Sequence, residues 1–478
     1  MRYRRQPIFV AVLVALSALF ASCAGVPDAL PALPGPAIQE PVPPPLTEAE
    51  KERMELDAIY RAIEAGDFAS AETRLAGLSS SRPDNRSYPV LRSAVLLSMG
   101  RIDDARIALK AEIAAWPDNV EALFALAELE RFAGDAKAHR AAVEALLAKD
   151  PKNADAQAAM GDIHYESKNY TKAEASYAAA LAMVPANVEA LLGSARLKFK
   201  RDDMKGALVA LDKAVAAAPG DAIAYLDRSR VLYQLGRYDE CEADMDTAIK
   251  LAPGSAWNYV ERGRLYLDTG RLELAKADFD RSITINPDYF LTYVYRASIH
   301  ENSGDDAAAL DDYRTASRLY PDYWYSFESM GVLAYRLGYW SEAFAAFDKA
   351  SGYTKTHTEY YIAAALSLMR AGEVKAAREY AGKMLARVDK EKLNGHWLML
   401  RLLFDQGDMT SELEVRIHAE KNLDLKAGLL YYLGAYWVAR GKPDLGSKYI
   451  RMSYDSERMG ILERRLAEAD LARLAAPK

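Results

Sequence analysis

The chain has 478 residues, with 61 basic and 68 acidic side chains and a formal net charge of −7. Apolar residues at 51% and charged residues at 27% fit a packed globular chain and exclude a disordered one. Two cysteines exclude a disulfide scaffold and an all-cysteine zinc module, and the net acidity argues against a nucleic-acid binder, which needs a basic face.

The N-terminus reads as a targeting segment. Arg2, Arg4 and Arg5 precede residues 8–20, which are apolar except for Ser17. That run is short for a bilayer span and suits a signal-peptide core. It ends in Leu19-Phe20-Ala21-Ser22-Cys23. Small residues before a cysteine resemble a bacterial lipobox, which implies cleavage before Cys23 and acylation there, with Phe20 standing where leucine is usual. Residues 1–22 are then a signal peptide. Multiple acyl chains give a stable anchor, because each buried methylene contributes about 0.8 kcal/mol. The expected location is a bacterial membrane, as a lipoprotein facing the periplasm or the outer membrane. Eight of the next 23 residues, 24–46, are proline. Such a segment cannot be helical and favours polyproline II, with a reach of roughly 70 Å if fully extended. It reads as a linker.

The next predicted element is a helix opened by Thr47-Glu48-Ala49-Glu50, a capping box. Internal repeats follow. Pro83, Pro117, Pro151, Pro185, Pro219, Pro253, Pro287 and Pro321 recur every 34 residues. Gly66, Gly100, Gly134, Gly236, Gly270, Gly304, Gly338 and Gly372 keep the same period, which resumes at Gly407 and Gly441. Ala71, Ala105, Ala173, Ala207, Ala275, Ala309, Ala343 and Ala377 make a third series.

A 34-residue period with small residues at positions 8, 20 and 27, an aromatic at 24 and proline at 32 strongly resembles the tetratricopeptide repeat. Twelve repeats, starting at residues 52, 86, 120, 154, 188, 222, 256, 290, 324, 358, 393 and 427, fit the pattern. His139 and Glu412 replace the position-20 alanine in the third and eleventh. The resemblance implies an all-α fold, a right-handed superhelical solenoid of about twelve helix-turn-helix repeats over residues 47–460. Residues 461–478 are expected to form a C-terminal capping helix and tail.

Elementary packing explains the marks. Small residues at positions 8 and 20 allow two helices to cross closely, so Gly263 and Ala275 are expected to touch. Glycine at position 15 accepts a left-handed backbone, and proline at 32 stops the second helix. Large residues at position 24, such as Tyr177, Phe279 and Phe347, fill the space between neighbours. Each hairpin leaves an apolar face that stacking buries, so the array is expected to behave as one domain. In the last helix Leu462, Leu466 and Ala469 form an apolar stripe, and Glu463, Arg464, Arg465 and Glu468 are expected to face water.

A search for reaction chemistry finds no phosphate loop, HExxH helix, GxSxG elbow or CxxC pair, which points away from an enzyme and to no cofactor or metal. Six histidines are scattered over six repeats, and Cys241 sits at position 20, where a small buried side chain is expected. What remains is the concave surface, which in the resembled family is lined by positions 2, 5, 9, 12 and 13 of the first helices. Position 9 reads Glu128, Asp162, Arg196, Arg230 and Arg264 in successive repeats. Tyr233, Tyr325, Tyr335, Trp397, Phe404 and Tyr431 occupy groove positions too. The arginines form either a recognition ladder for carboxylate or phosphate or a solvated set paired with nearby acids. A second series, Arg228, Arg262 and Arg296 at position 7, accompanies Asp244, Asp278 and Asp312 at position 23 and reads as a structural ion pair. No repeat carries lysine at 5 with asparagine at 9, the carboxylate clamp of chaperone-binding members, so that function is not carried over.

The sequence therefore points to a lipid-anchored interaction scaffold that binds an extended peptide or partner helix in its groove. The alternatives are a periplasmic ligand-binding component of a transport system and an envelope or pilus assembly factor.

Overall fold

The computed structural model describes residues 47–353, 357–405 and 409–476. The signal peptide, Cys23, the proline-rich linker and Gly407 lie outside the described residues. Every regular element among the described residues is a helix, as expected. Within each unit consecutive helices pair as antiparallel hairpins, from Glu48–Glu64 with Phe68–Ser81 to Leu423–Ala439 with Pro443–Tyr454, and a last helix spans Ile461–Ala475. The chain forms two compact units, one ending at Gly236 and one beginning at Arg237. No helix among the described residues is long and apolar enough to cross a membrane.

Local chemistry sets the helix ends. The capping box forms: the Glu50 amide donates to Thr47 Oγ1 at 3.3 Å, and the Thr47 amide donates to Glu50 Oε2 at 2.7 Å. Asn119, Asn153 and Asn187 each cap the first helix of their repeat through the side-chain oxygen. The position-15 glycines adopt φ between 70° and 80°, from Gly66 to Gly441. Lys168 (59°) and Asp202 (65°) hold the same left-handed backbone where their repeats lack glycine.

The repeat marks pack as pairs, with an added detail at position 8. His139 Nδ1 lies 2.9 Å from the Ala127 carbonyl oxygen, so position 20 faces position 8 in the third repeat. At Gly263 the atoms nearest a built Cβ belong to Phe279, at 2.7 Å. A Cβ built at Gly161 would overlap the Tyr177 ring, and one at Gly331 would stand 2.6 Å from the Phe347 ring. Glycine at position 8 therefore makes room chiefly for the ring at position 24. Cys241 is fully buried, in keeping with its position. In the eleventh repeat the inward face moves by one residue. Glu412 is exposed and Leu413 is buried in its place.

The position-7 arginines link successive repeats. Arg262 donates to Asp278 at 2.8 and 2.7 Å and to Asp246 at 2.6 Å. Arg296 repeats this with Asp312 at 2.9 and 2.6 Å and with Asp280 at 2.6 Å. Each guanidinium thus bridges position 23 of its own repeat and position 25 of the preceding one. Arg228 reaches its preceding partner, Asp212, at 3.0 Å, while its other expected partner, Asp244, belongs to the second unit.

Candidate functional site

In the first unit, the groove positions of the first helices carry a chain of half-buried charges. Arg131 pairs with Glu128 three residues earlier and reaches Glu189 at 3.5 Å, skipping the repeat between them. Asp162 accepts from Tyr177 Oη at 2.6 Å. Arg196 donates to Asp227 at 3.1 Å, and Arg230 approaches the other oxygen of Asp227 at 3.4 Å. The side chains of Arg196 and Arg230 remain 35% and 39% exposed, against 13% for Asp227. In the second unit Arg264 pairs with Glu261 at 3.3 Å and lies 5.7 Å from the Tyr295 ring centroid. Each of these three arginines thus has a position-6 acid beside it, and their side chains stay 35–43% exposed. Tyr233 is half-buried on the same helix as Arg230.

The expected aromatic zone divides. Tyr325 is 39% exposed, edge-on to Tyr313, Tyr323 and Trp324. Trp397 is half-buried, with Lys390 Nζ 4.6 Å from its ring centroid. Phe404 packs against Gly382 of the preceding repeat, where a Cβ would stand 2.8 Å from the ring, so it fills the stack rather than lining a surface. Tyr335 and Tyr431 are 1% and 0% exposed. As free contact residues these two are corrected, because the C-terminal helix covers them. Tyr335 Oη donates to Asp470 at 2.9 Å, and Tyr431 Oη approaches the same carboxylate oxygen at 3.4 Å.

The C-terminal helix thus departs from the water-facing cap expected of its charges. Leu462 and Leu466 are buried as expected, but Glu463 is buried with them and accepts from Tyr432 Oη at 2.6 Å. Arg465 pairs with Glu301, and only Glu468 of the four charged residues is exposed. Sequence reasoning missed Arg370, Tyr432 and Asp470. The available signal was the seven-residue spacing of Glu463 and Asp470 along an apolar stripe.

Burial pushes the Tyr335 hydroxyl up to about 12 and that of Tyr431 well above the ordinary range, so both stay neutral donors. Burial also raises the Asp470 carboxyl against the pull of Arg370. Among the described residues no group of three or more histidine, cysteine or acidic side chains is placed to hold a metal ion. A recess of about 370 Å³ near Phe344 and Tyr380 is lined mainly by second helices, away from these groove positions.

Comparisons agree with the repeat pattern. Residues 91–154 match the family model described as tetratricopeptide repeat, and residues 144–334 match that of the ETO1 C-terminal domain. No curated protein matches the sequence. Among solved structures, a tetratricopeptide repeat protein from Parabacteroides merdae is 21% identical, over 52% of this chain and 98% of that one, with a TM-score of 0.42. Pseudomonas aeruginosa pilF is 17% identical over 46% and 99%, with a TM-score of 0.39. Yeast Tom70 is 14% identical over 77% and 90%, with a TM-score of 0.38.

Proposed function

The chain is a tetratricopeptide-repeat protein, and from that premise we propose that it is a lipid-anchored interaction scaffold of a bacterial envelope. It holds an extended peptide or helix of a partner protein on the groove face of its first helices. Stacked helical repeats offer extended binding surfaces of this kind. One observation carries the reading: the groove arginines are paired but only half covered. Arg131, Arg196 and Arg230 have side chains 30–39% exposed, beside more deeply set acids. Such guanidiniums can turn their remaining donors to a partner's carboxylates or backbone carbonyls without leaving their own acids. Cys23, acylated, supplies the membrane anchor, and residues 24–46 the spacer.

The test is crosslinking capture from intact membranes. Changing Arg196, Arg230 and Arg264 together to glutamine keeps the helical content and removes the salt-sensitive part of capture. Undiminished capture at low salt by that variant refutes the site. Cys23→Ser moves the folded protein into the soluble fraction; unchanged detergent partitioning, or a native Cys23 without acyl mass, refutes the anchor.

A further inference from the structure

The helix Ile461–Ala475 lies against the groove side of the second unit's first helices. Its buried and half-buried polar contacts fall on first helices of four repeats: Arg465 on Glu301, Asp470 on Tyr335, Arg370 and Tyr431, and Glu463 on Tyr432, while it also packs on the last second helix, Pro443–Tyr454, where Tyr454 Oη donates to Glu468 at 3.4 Å. Glu301 and Tyr335 hold position 12, Arg370 position 13 and Tyr431 position 5, the positions that line the concave surface in this repeat family. Arg473 adds hydrogen bonds to the Tyr335 and Arg336 carbonyl oxygens at 3.0 and 3.1 Å, at the end of helix Trp324–Leu337. The chain has placed one of its own helices where a partner would lie.

The chemistry of that contact is unusual for a fixed cap. Leu462, Leu466 and Ala467 supply an apolar stripe, but Glu463 and Asp470 stand on it as well, seven residues apart, 9% and 0% exposed. Buried ionic groups add little net stability over apolar residues of the same volume, and their best-attested use is to fix register and choice of partner. On the receiving side the donors are specific. Arg370, with its side chain 11% exposed, and two neutral tyrosine hydroxyls converge on one carboxylate. Any segment that replaces the helix and covers Arg370 again must answer its charge, which an apolar or basic segment cannot do.

We propose that this face of residues 290–440 is a receptor for an amphipathic helix bearing two carboxylates seven residues apart on its apolar stripe, and that the C-terminal helix is its resident, displaceable occupant. A partner protein presenting such a helix takes its place, with one carboxylate on Arg370, Tyr335 and Tyr431 and the other on Tyr432. This site belongs to the second unit and involves none of Arg196, Arg230 and Arg264, so it and the arginine face can fail separately.

The experiment uses the full chain and a fluorescein-labelled peptide of residues 459–476 as the probe, read by anisotropy. Leu466→Asp loosens the resident helix without touching the receiving residues. The variant binds the probe at least about tenfold more tightly than the unaltered chain. A probe with alanine at both Glu463 and Asp470 loses about tenfold or more on the same variant, and so does the unaltered probe when Arg370→Met is added. Equal binding by the two chains, or by the two probes, overturns the proposal. Circular dichroism checks the fold of Leu466→Asp. If that variant does not fold, hydrogen exchange on the unaltered chain decides: amides of 461–475 open at least about tenfold faster than those of 324–337 if the helix is displaceable. Matching rates overturn the proposal. Dimerisation of the unaltered chain by exchange of this helix also overturns it, making a second copy the occupant.

Discussion

Removal of Arg296 should separate the structural arginines from the groove arginines. Its guanidinium makes two hydrogen bonds to Asp312, whose side chain is 6% exposed, and one to Asp280 of the preceding repeat. Breaking a buried pair by removing one partner costs about 3–5 kcal/mol, because the other charge is stranded. Arg296 is itself 22% exposed, so water relieves part of this, and Arg296→Met should cost about 2–3 kcal/mol. Arg264 is 43% exposed and meets Glu261, itself 8% exposed, through one contact at 3.3 Å that a glutamine amide can replace, so Arg264→Gln should cost about 1 kcal/mol. The double change Arg296→Met with Asp312→Leu removes both charges and should return to within about 1 kcal/mol of the unaltered chain. Urea unfolding followed by circular dichroism gives the midpoints, and hydrogen exchange over residues 256–319 locates the loss. Equal losses for Arg296→Met and Arg264→Gln, or a double variant worse than the single, would refute the assignment of the two series.

Gly263→Ala places a methyl 2.7 Å from the Phe279 ring, so an overpacking cost of about 1–3 kcal/mol outweighs a helix-propensity gain of about 1 kcal/mol. Gly77→Ala, mid-helix with nothing within 4 Å, should show the gain alone, and thermal melts of the two should shift in opposite directions. Lys168→Gly relieves a left-handed backbone at φ 59° and should stabilise the first unit by up to about 1 kcal/mol in the same melts. Burial, with Glu359 and Glu328 nearby, raises the Glu463 carboxyl against the Tyr432 hydrogen bond. The docked helix therefore favours the proton, and its docking should strengthen as pH falls from neutrality and be lost as pH rises through the raised value. Hydrogen exchange of 461–475, corrected for intrinsic rates, should show slower opening toward acid, and Glu463→Gln should flatten that slope.

The repeat architecture was legible because its marks act locally. A glycine at position 15 and a proline at 32 impose backbone geometry wherever they stand, so helix limits such as Ala256–Asp268, between Pro253 and Gly270, fall where the period puts them. The position-7 pairs could be read for a related reason: Arg262 and Asp278 are 16 residues apart within one hairpin, and a hairpin has one way to bring them together. Two things resisted. The tenth repeat carries an extra residue, and in the eleventh the burial of Leu413 in place of Glu412 shows the second helix turned by one position. The C-terminal helix was misread because its charged residues imply water until their partners are known. Those partners are remote in the chain, with Asp470 and Tyr335 separated by 135 residues and Arg465 and Glu301 by 164.

The two groove faces differ in how they satisfy charge, and that difference bears on what each can hold. In the first unit acids and arginines of the same face satisfy one another, as Asp227 does for Arg196 and Arg230. Nothing further is needed for such a face to remain in water, so a partner must compete with pairs that contribute little when exposed. Selectivity there comes from how a ligand's charges match the sequence of acids and arginines along the face. In the second unit the buried Arg370 lies over the Trp340 ring and pairs with the carboxylate of the incoming Asp470. A cation there must be answered by whatever covers it, so on the proposed reading the face selects an occupant with a carboxylate at one place. On the proposed reading the first arrangement should tolerate many extended ligands and be sensitive to salt. The second admits few, in one register, and its shielded pairs should respond weakly to salt and strongly to protonation.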